Sequence, residues 1–352
     1  MHDQAPHPAR EFARQAQAVF GKAASRAGLV ERFYRIAGQK IVLRFSGEAL
    51  IPILAPALDH LRSPRFDEPD LTVSLFDSET TRMVMPPPPW GQDAYGPNGQ
   101  IAGFNTQDIQ TVYNVGTSIL NVMDHTENSA VFWVRRPSST PYWETAAPLR
   151  TILHWSMRDR STQLVHGAAV GYKTGGVLIA AKGGSGKSTS TLSCLGSDLL
   201  FAGDDYVAVD DAEIPFAHSL FQTAKLNKDN LSRISHLGLT PINSDRLSEE
   251  DKAVYFPGSV YPDSISRGFP LRCILIPRVT GKPDTAIRPA KQSEALLSLA
   301  PTTLCQLPGS GLDAFEKMRS LARKLPAYRL EAGLEVAQIP RAIGEFLRSE
   351  FA

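Results

Sequence analysis

The segment Val177–Thr189, VLIAAKGGSGKST, decides how the rest of the chain reads. Its apolar start, Val177 to Ala181, predicts a buried strand, and Ser190 to Leu195 predicts a helix. Between them lies the glycine-rich turn that a G-x-x-x-x-G-K-[ST] phosphate loop places between a strand and a helix. Glycines let successive backbone N–H groups converge on a phosphate, and a helix start adds partial positive charge. On this reading Gly183, Gly184, Ser185, Gly186, Lys187, Ser188 and Thr189 form the cradle. Lys187 reaches the β- and γ-phosphates, and the Ser188 hydroxyl ligates Mg²⁺. The first position of the pattern departs, with Ala181 where glycine is expected. The competing reading is a flexible turn with a chance GKS. The strand and helix on either side favour a site for a nucleoside triphosphate.

At 352 residues the chain is long for one folding unit and short for three, so two are expected. With 42% hydrophobic and 21% charged residues it has the composition of a soluble globular protein. Lys and Arg total 37 against 36 Asp and Glu, a net charge of +1. That balance predicts no electrostatic grip on nucleic acid or on an anionic membrane. Cys194, Cys273 and Cys305 are odd in number and lack C-x-x-C spacing. Neither a disulfide framework nor a cysteine zinc site is expected, and a reducing cytoplasm fits. MHDQAPHPAREFARQ lacks an apolar signal core, and no apolar run approaches bilayer length. The expected location is cytoplasmic.

Residues 1–160 predict an α+β domain. Ala9–Ala27 reads as a helix, Leu29–Phe45 as a hairpin, Gly47–Leu61 as helix and Leu71–Phe76 as a strand. Pro86–Pro89 is a stiff connector, the safer reading beside an SH3-type ligand. Gln100–Phe104, Thr111–Val115, Ile119–Met123 and Ala130–Val134 are spaced like a meander, and Trp143–Arg158 reads as one amphipathic helix. Residues 161–352 predict an α/β core. Its strands are Leu164–Gly171, Val177–Ala181, Leu199–Ala202, Tyr206–Val209, Ile214–Leu220, Leu271–Pro277 and Ala327–Leu330. Helices are expected at Lys187–Leu195, Ser293–Leu299, Leu312–Leu325 and Ile339–Phe351.

Asp204 and Asp205 follow the apolar Leu199–Ala202 directly. Two carboxylates at the end of a buried strand are expensive unless something uses them. Beside a triphosphate one can hold Mg²⁺ while the other accepts a proton from an attacking hydroxyl. The competing reading is a solvated turn. His166 stands alone in an apolar strand, where a histidine is more often structural than catalytic.

His166-Gly167, the GxGKS loop and Asp204-Asp205 together resemble the catalytic domain of HPr kinase/phosphorylase. His166 precedes Lys187 by 21 residues and Asp204 follows it by 17, spacings similar to that family's over residues 164–210. The resemblance implies a P-loop core of the HPr kinase type, a mixed sheet flanked by helices, using ATP and Mg²⁺. It implies that Lys187 and Ser188 hold phosphates and metal, that Asp204 is the general base on an acceptor serine, that Asp205 is a metal or water-shell ligand, and that His166 positions Asp204. The family's loop continues GKSE where this chain has Thr189, and its second glycine- and arginine-containing signature is not found. The whole chain is more similar to divergent HPr-kinase-like proteins, including kinases of lasso-peptide precursors.

The expected function is therefore transfer of the γ-phosphoryl group to a serine of a peptide or small protein. Residues 1–160 would be the place to hold that peptide or to form a homo-oligomer. The alternative is a nucleotide-binding regulatory or assembly protein with little transferase activity. Further cations for the transferred charge are sought among Lys225, Lys228, Arg267, Arg272, Arg278 and Lys282, and Lys228–Phe269 reads as a lid or a surface loop. His125, His154, His218 and His236 lack metal spacing, and the tryptophans read as core.

Overall fold

Phe12, Ala13, Ala16, Phe20 and Ala23 recur at helical spacing, and that stripe is the buried face of the first helix. The computed structural model describes residues 7–158, 160–248 and 251–351. The chain divides into two compact units, the first running to Ser156 and including Gln306–Gly309, the second formed by the remainder. Both mix α and β structure.

In the first unit, α1 (Pro8–Ala27) leads into the hairpin β1 (Leu29–Ile36) and β2 (Gln39–Ser46). Short α2 (Ile51–Leu54), then β3 (Leu71–Asp77) and α3 (Ser78–Thr81) follow, before the meander β4 (Ile109–Asn114), β5 (Ile119–Asp124) and β6 (Ser129–Val134). The sheet order is β1-β2-β3-β6-β5-β4, with β3 parallel to both its neighbours. α1 packs its stripe on Phe76, Val122, Val131 and Trp133. Gln100–Phe104 forms turns and isolated bridges instead of the expected strand. The single helix expected at Trp143–Arg158 is two, α4 (Tyr142–Ala146) and α5 (Arg150–Ser156). Pro148 disfavours the helical region for Ala147, which sits at ψ 67°, and Leu149 turns left-handed at φ 58°.

The second unit begins with β7 (Thr162–His166), β8 (Ala168–Tyr172) and β9 (Gly175–Ile179), then α6 (Lys187–Leu192). There follow β10 (Leu200–Gly203), β11 (Tyr206–Asp210), β12 (Phe216–Ser219), β13 (Ala224–Leu226), β14 (Ala253–Tyr255), β15 (Gly268–Val279) and β16 (Ala286–Pro289). α7 (Gln292–Gln306), α8 (Leu312–Lys324), β17 (Ala327–Ala332) and α9 (Gln338–Glu350) complete it. A nine-stranded mixed sheet runs β10-β8-β9-β15-β12-β11-β7, with β17 also on β15 and β16 on β17. Alternation along the strands sends Ala169, Leu178 and Ile274 into one face with residues of α7 and α8. Val170, Ile179 and Leu275 enter the other face with Ile339, Ile343 and Leu347 of α9.

The strand expected at Leu164–Gly171 is two strands at different places in the sheet, parted at Gly167. A Cβ there would meet Ile179 O at 3.2 Å. The segment Lys228–Phe269, expected as a lid or a surface loop, carries β14, which pairs with β13 just before it, and its Ile234, Leu237 and Tyr255 cluster with Leu192 and Leu195. Among the described residues no helix is long and apolar enough to cross a membrane.

All four tryptophans precede Ser156, so their fluorescence reports on the first unit. Phe12 is 1% exposed and edges onto Trp90 and Phe104, with ring centroids 4.8 and 6.2 Å away. Phe12→Ala should therefore lower the stability read from tryptophan fluorescence in urea by about 3–5 kcal/mol. An unchanged midpoint would remove α1 from the core of this unit.

Candidate active site

β10 ends at Gly203 and β11 begins at Tyr206, so the chain must reverse over Asp204 and Asp205. It does so with Asp205 left-handed at φ 68°, a conformation aspartate tolerates better than most residues. The Tyr206 amide donates to Asp204 O at 2.9 Å and closes the turn. Tyr206 is paired with His166 across β11 and β7, which brings the histidine to the same end of the sheet. The loop after β9 arrives at that end too. Gly184 and Gly186 take φ of 81° and 95°, and Ser185 Oγ donates to Lys182 O at 2.6 Å. α6 then starts at Lys187. It is only six residues long, so the helix-dipole contribution expected at its start is small.

Four charges meet where these elements converge. Lys187 Nζ donates to Asp204 Oδ1 at 2.6 Å and to Asp205 Oδ1 at 2.9 Å. Lys225 Nζ, from β13, lies 2.6 Å from Asp205 Oδ2, and its backbone amide donates to Asp204 Oδ2 at 3.3 Å. Two cations and two carboxylates thus balance in a cluster whose members are all buried. Burial would lower the Lys187 pKa, but the charges of Asp204 and Asp205 outweigh it and raise it. Burial likewise opposes ionisation of Asp205, yet Lys187 and Lys225 hold its carboxyl well below the usual range.

His166 Nε2 is 3.6 Å from Asp205 Oδ1. The expected neighbour was Asp204, and the difference follows from the turn: the left-handed Asp205 is adjacent to Tyr206, the residue paired with His166. Burial is the main cause lowering the His166 pKa, against the opposing pull of Asp205, and it favours the neutral ring. Its backbone amide is anchored on Thr303 Oγ1 of α7 at 3.0 Å.

Above the cluster opens a cavity of about 330 Å³. Gly183, Gly184, Gly186, Lys187, Ser188 and Thr189 line it, with His166, Asp205 and Lys225. Ser185 does not, because its hydroxyl turns back onto Lys182. Asp204 is 1% exposed and lies behind Lys187 rather than on the cavity wall. Val279, Ala332, Val336 and Ile339 supply an apolar wall.

Of the six cations sought in the sequence, Lys225 is at the cluster. Lys228 instead donates to Leu247 O at 3.2 Å and Arg272 to Thr174 O at 2.9 Å, and Arg267, Arg278 and Lys282 do not line the cavity. Arg233 and Lys252 do line it and were missed. A signal existed in Asn227-x-x-Asn230-x-x-Arg233, polar residues at a period of three, which neither helical nor strand periodicity tests for.

The residues present fit Mg²⁺. Ser188 and Asp205 both line the cavity and offer hard oxygen donors, and Mg²⁺ typically takes one or two such protein ligands beside phosphates and water. Among the described residues no group of three His, Cys, Asp or Glu could hold a metal without such help.

No family model matches the chain, and no curated protein does. Among solved structures the chain is similar to the HPr(Ser) kinase/phosphatase from Coxiella burnetii, with 11% identity and a TM-score of 0.29. That match covers 53% of this chain and 94% of that one.

The balance of charges makes a test. In Lys187→Met two buried carboxylates share the Lys225 cation, and breaking such a pair costs about 3–5 kcal/mol. In the unaltered chain Asp205, with its depressed pKa, adds stability above the unfolded carboxylate pKa of about 3.9 that is lost as pH falls below it. The variant reverses this locally, since proton uptake relieves the repulsion. Its deficit in chemical denaturation should shrink from pH 7 to pH 5, and a deficit independent of pH would contradict the charge balance.

Proposed function

We propose that this chain is an ATP- and Mg²⁺-dependent kinase that transfers the γ-phosphoryl group to a serine hydroxyl of a peptide or small protein. The observation that carries the reading is one cavity lined by a glycine loop, Lys187, Ser188 and a carboxylate, with a second carboxylate buried directly behind the lysine. A glycine loop alone would serve binding. The paired carboxylates add what transfer needs, because serine is a weak nucleophile without a positioned proton acceptor.

In the reaction the serine Oγ–P bond forms, the bond from the γ-phosphorus to the bridging oxygen breaks, ADP leaves and the serine proton passes to a carboxylate. Lys187 has two calls on it, the carboxylates and the phosphates. When it turns toward phosphate, Asp204 Oδ1 loses its ammonium partner and is uncovered to take the proton. Asp205 keeps Lys225, so it stays ionised and weakly basic, which suits a ligand better than a base. Mg²⁺, held by Ser188 and Asp205, would neutralise charge on the phosphate oxygens. Neutral His166 fixes Asp205 rather than Asp204. The first unit as the holder of the acceptor peptide belongs to the same proposal.

The pure protein, ATP and Mg²⁺ should add one phosphate to a serine of a peptide encoded beside its gene, read by mass spectrometry. Lys187→Ala and Asp204→Asn should abolish the gain, the latter with ATP affinity nearly intact. If ATP binds tightly and no candidate acceptor gains phosphate or accelerates ADP release, the protein is a nucleotide-binding regulator instead. Normal transfer by Asp204→Asn would shift the base to Asp205.

A further inference from the structure

After β13 the chain enters a 3₁₀ helix, Lys228–Leu237. Such a helix has about three residues per turn and rises about 2.0 Å per residue, so every third residue falls on one face. Asn227, Asn230 and Arg233 are spaced in that way and all line the cavity. Ile234 and Leu237 are buried in the apolar cluster that seats this segment on α6. The helix and its cap Asn227 thus present a polar rail about 12 Å long, from six residues at about that rise.

The two ends of the rail differ. Lys225 pairs with Val254 and Leu226 with Ala253 across β13 and β14, so the next step of that register sets Lys252 opposite Asn227. Lys252 therefore stands at the end nearest Lys225 and the charge cluster. Arg233 is at the far end, where it and Val336 also border a second, shallower groove. Lys187 and Lys225 are already committed to Asp204 and Asp205, whereas among the described residues no carboxylate engages Arg233 or Lys252.

We infer that the rail sets the direction of the bound nucleotide: phosphates at the Lys252 end, nucleoside at the Arg233 end, its base between the Arg233 guanidinium and the apolar wall at Val336. A planar guanidinium stacks on an aromatic base, whereas an ammonium serves phosphate as a point charge. Asn230 faces the middle of the ligand with one donor group and one acceptor oxygen. This inference rests on the nucleotide reading of the same cavity, and it names specificity residues which that reading does not require.

Calorimetry with three probes separates the ends: ATP, inorganic tripolyphosphate and adenosine. Lys252→Ala should weaken ATP and tripolyphosphate alike, by about tenfold, the loss of one charge-assisted contact. Arg233→Ala should weaken ATP and adenosine by a similar factor and leave tripolyphosphate within about twofold. Circular dichroism checks that each variant stays folded, and Arg233→Lys, which keeps the charge but cannot stack, should behave as Arg233→Ala. If Arg233→Ala loses tripolyphosphate as strongly as ATP, or Arg233→Lys restores full affinity, the arginine is a second phosphate contact and the direction is overturned. An unaltered protein without affinity for ATP or tripolyphosphate would instead overturn the nucleotide reading itself.

Discussion

Everything around the cavity depends on keeping four buried charges in balance. Lys187, Lys225, Asp204 and Asp205 come from three elements: the start of α6, β13 of the separate two-stranded sheet, and the β10–β11 turn of the nine-stranded sheet. A buried ion pair adds little net stability over an apolar replacement, but losing one partner is severe because the other is left uncompensated. The cluster is therefore weak as a source of stability and strong as a constraint on geometry.

The rest of the second unit reads as the means of bringing those three places together. β15 is twelve residues long and serves two neighbourhoods, pairing with β12 through its first residues and with β9 and β17 through its later ones. Through it, the strand that precedes the glycine loop is held in the same sheet as the strands beside the aspartate turn. His166 closes the arrangement from β7, anchored by the α7 hydroxyl of Thr303. Its neutral ring can sit against Asp205 without upsetting the charge count.

Much of this was legible in the sequence, for identifiable reasons. The glycine loop, the aspartate pair and His166 are local signals, and each lies within a few residues of the strand that positions it. α1 was legible because its apolar stripe follows the helical period without interruption. What could not be read depends on contacts distant in sequence. Apart from His166 and its two glycines Leu164–Gly171 is apolar, so nothing local shows that the chain leaves one edge of the sheet at Gly167 and re-enters beside β9. Which aspartate faces His166 is decided by a single left-handed residue. The start of Lys228–Phe269 reads as polar loop because Leu231, Ile234 and Leu237 are separated by polar residues, and the cluster they join includes Leu192 and Leu195, distant in sequence.

The charge balance also ties binding to chemistry in the proposed reading. A phosphate chain entering the cavity competes with Asp204 and Asp205 for the same ammonium group, so Lys187 cannot serve the ligand fully while it shields both carboxylates. Among the described residues Asp204, buried behind that ammonium, has no other charged partner, whereas Asp205 keeps Lys225. Drawing Lys187 away therefore acts unequally on two adjacent, chemically identical side chains. One is uncovered as an acceptor of protons and the other remains an anion fixed between Lys225 and His166. The division of labour between the aspartates is set by the second lysine, which the fold supplies from β13, the strand that leads into the polar rail along the cavity wall.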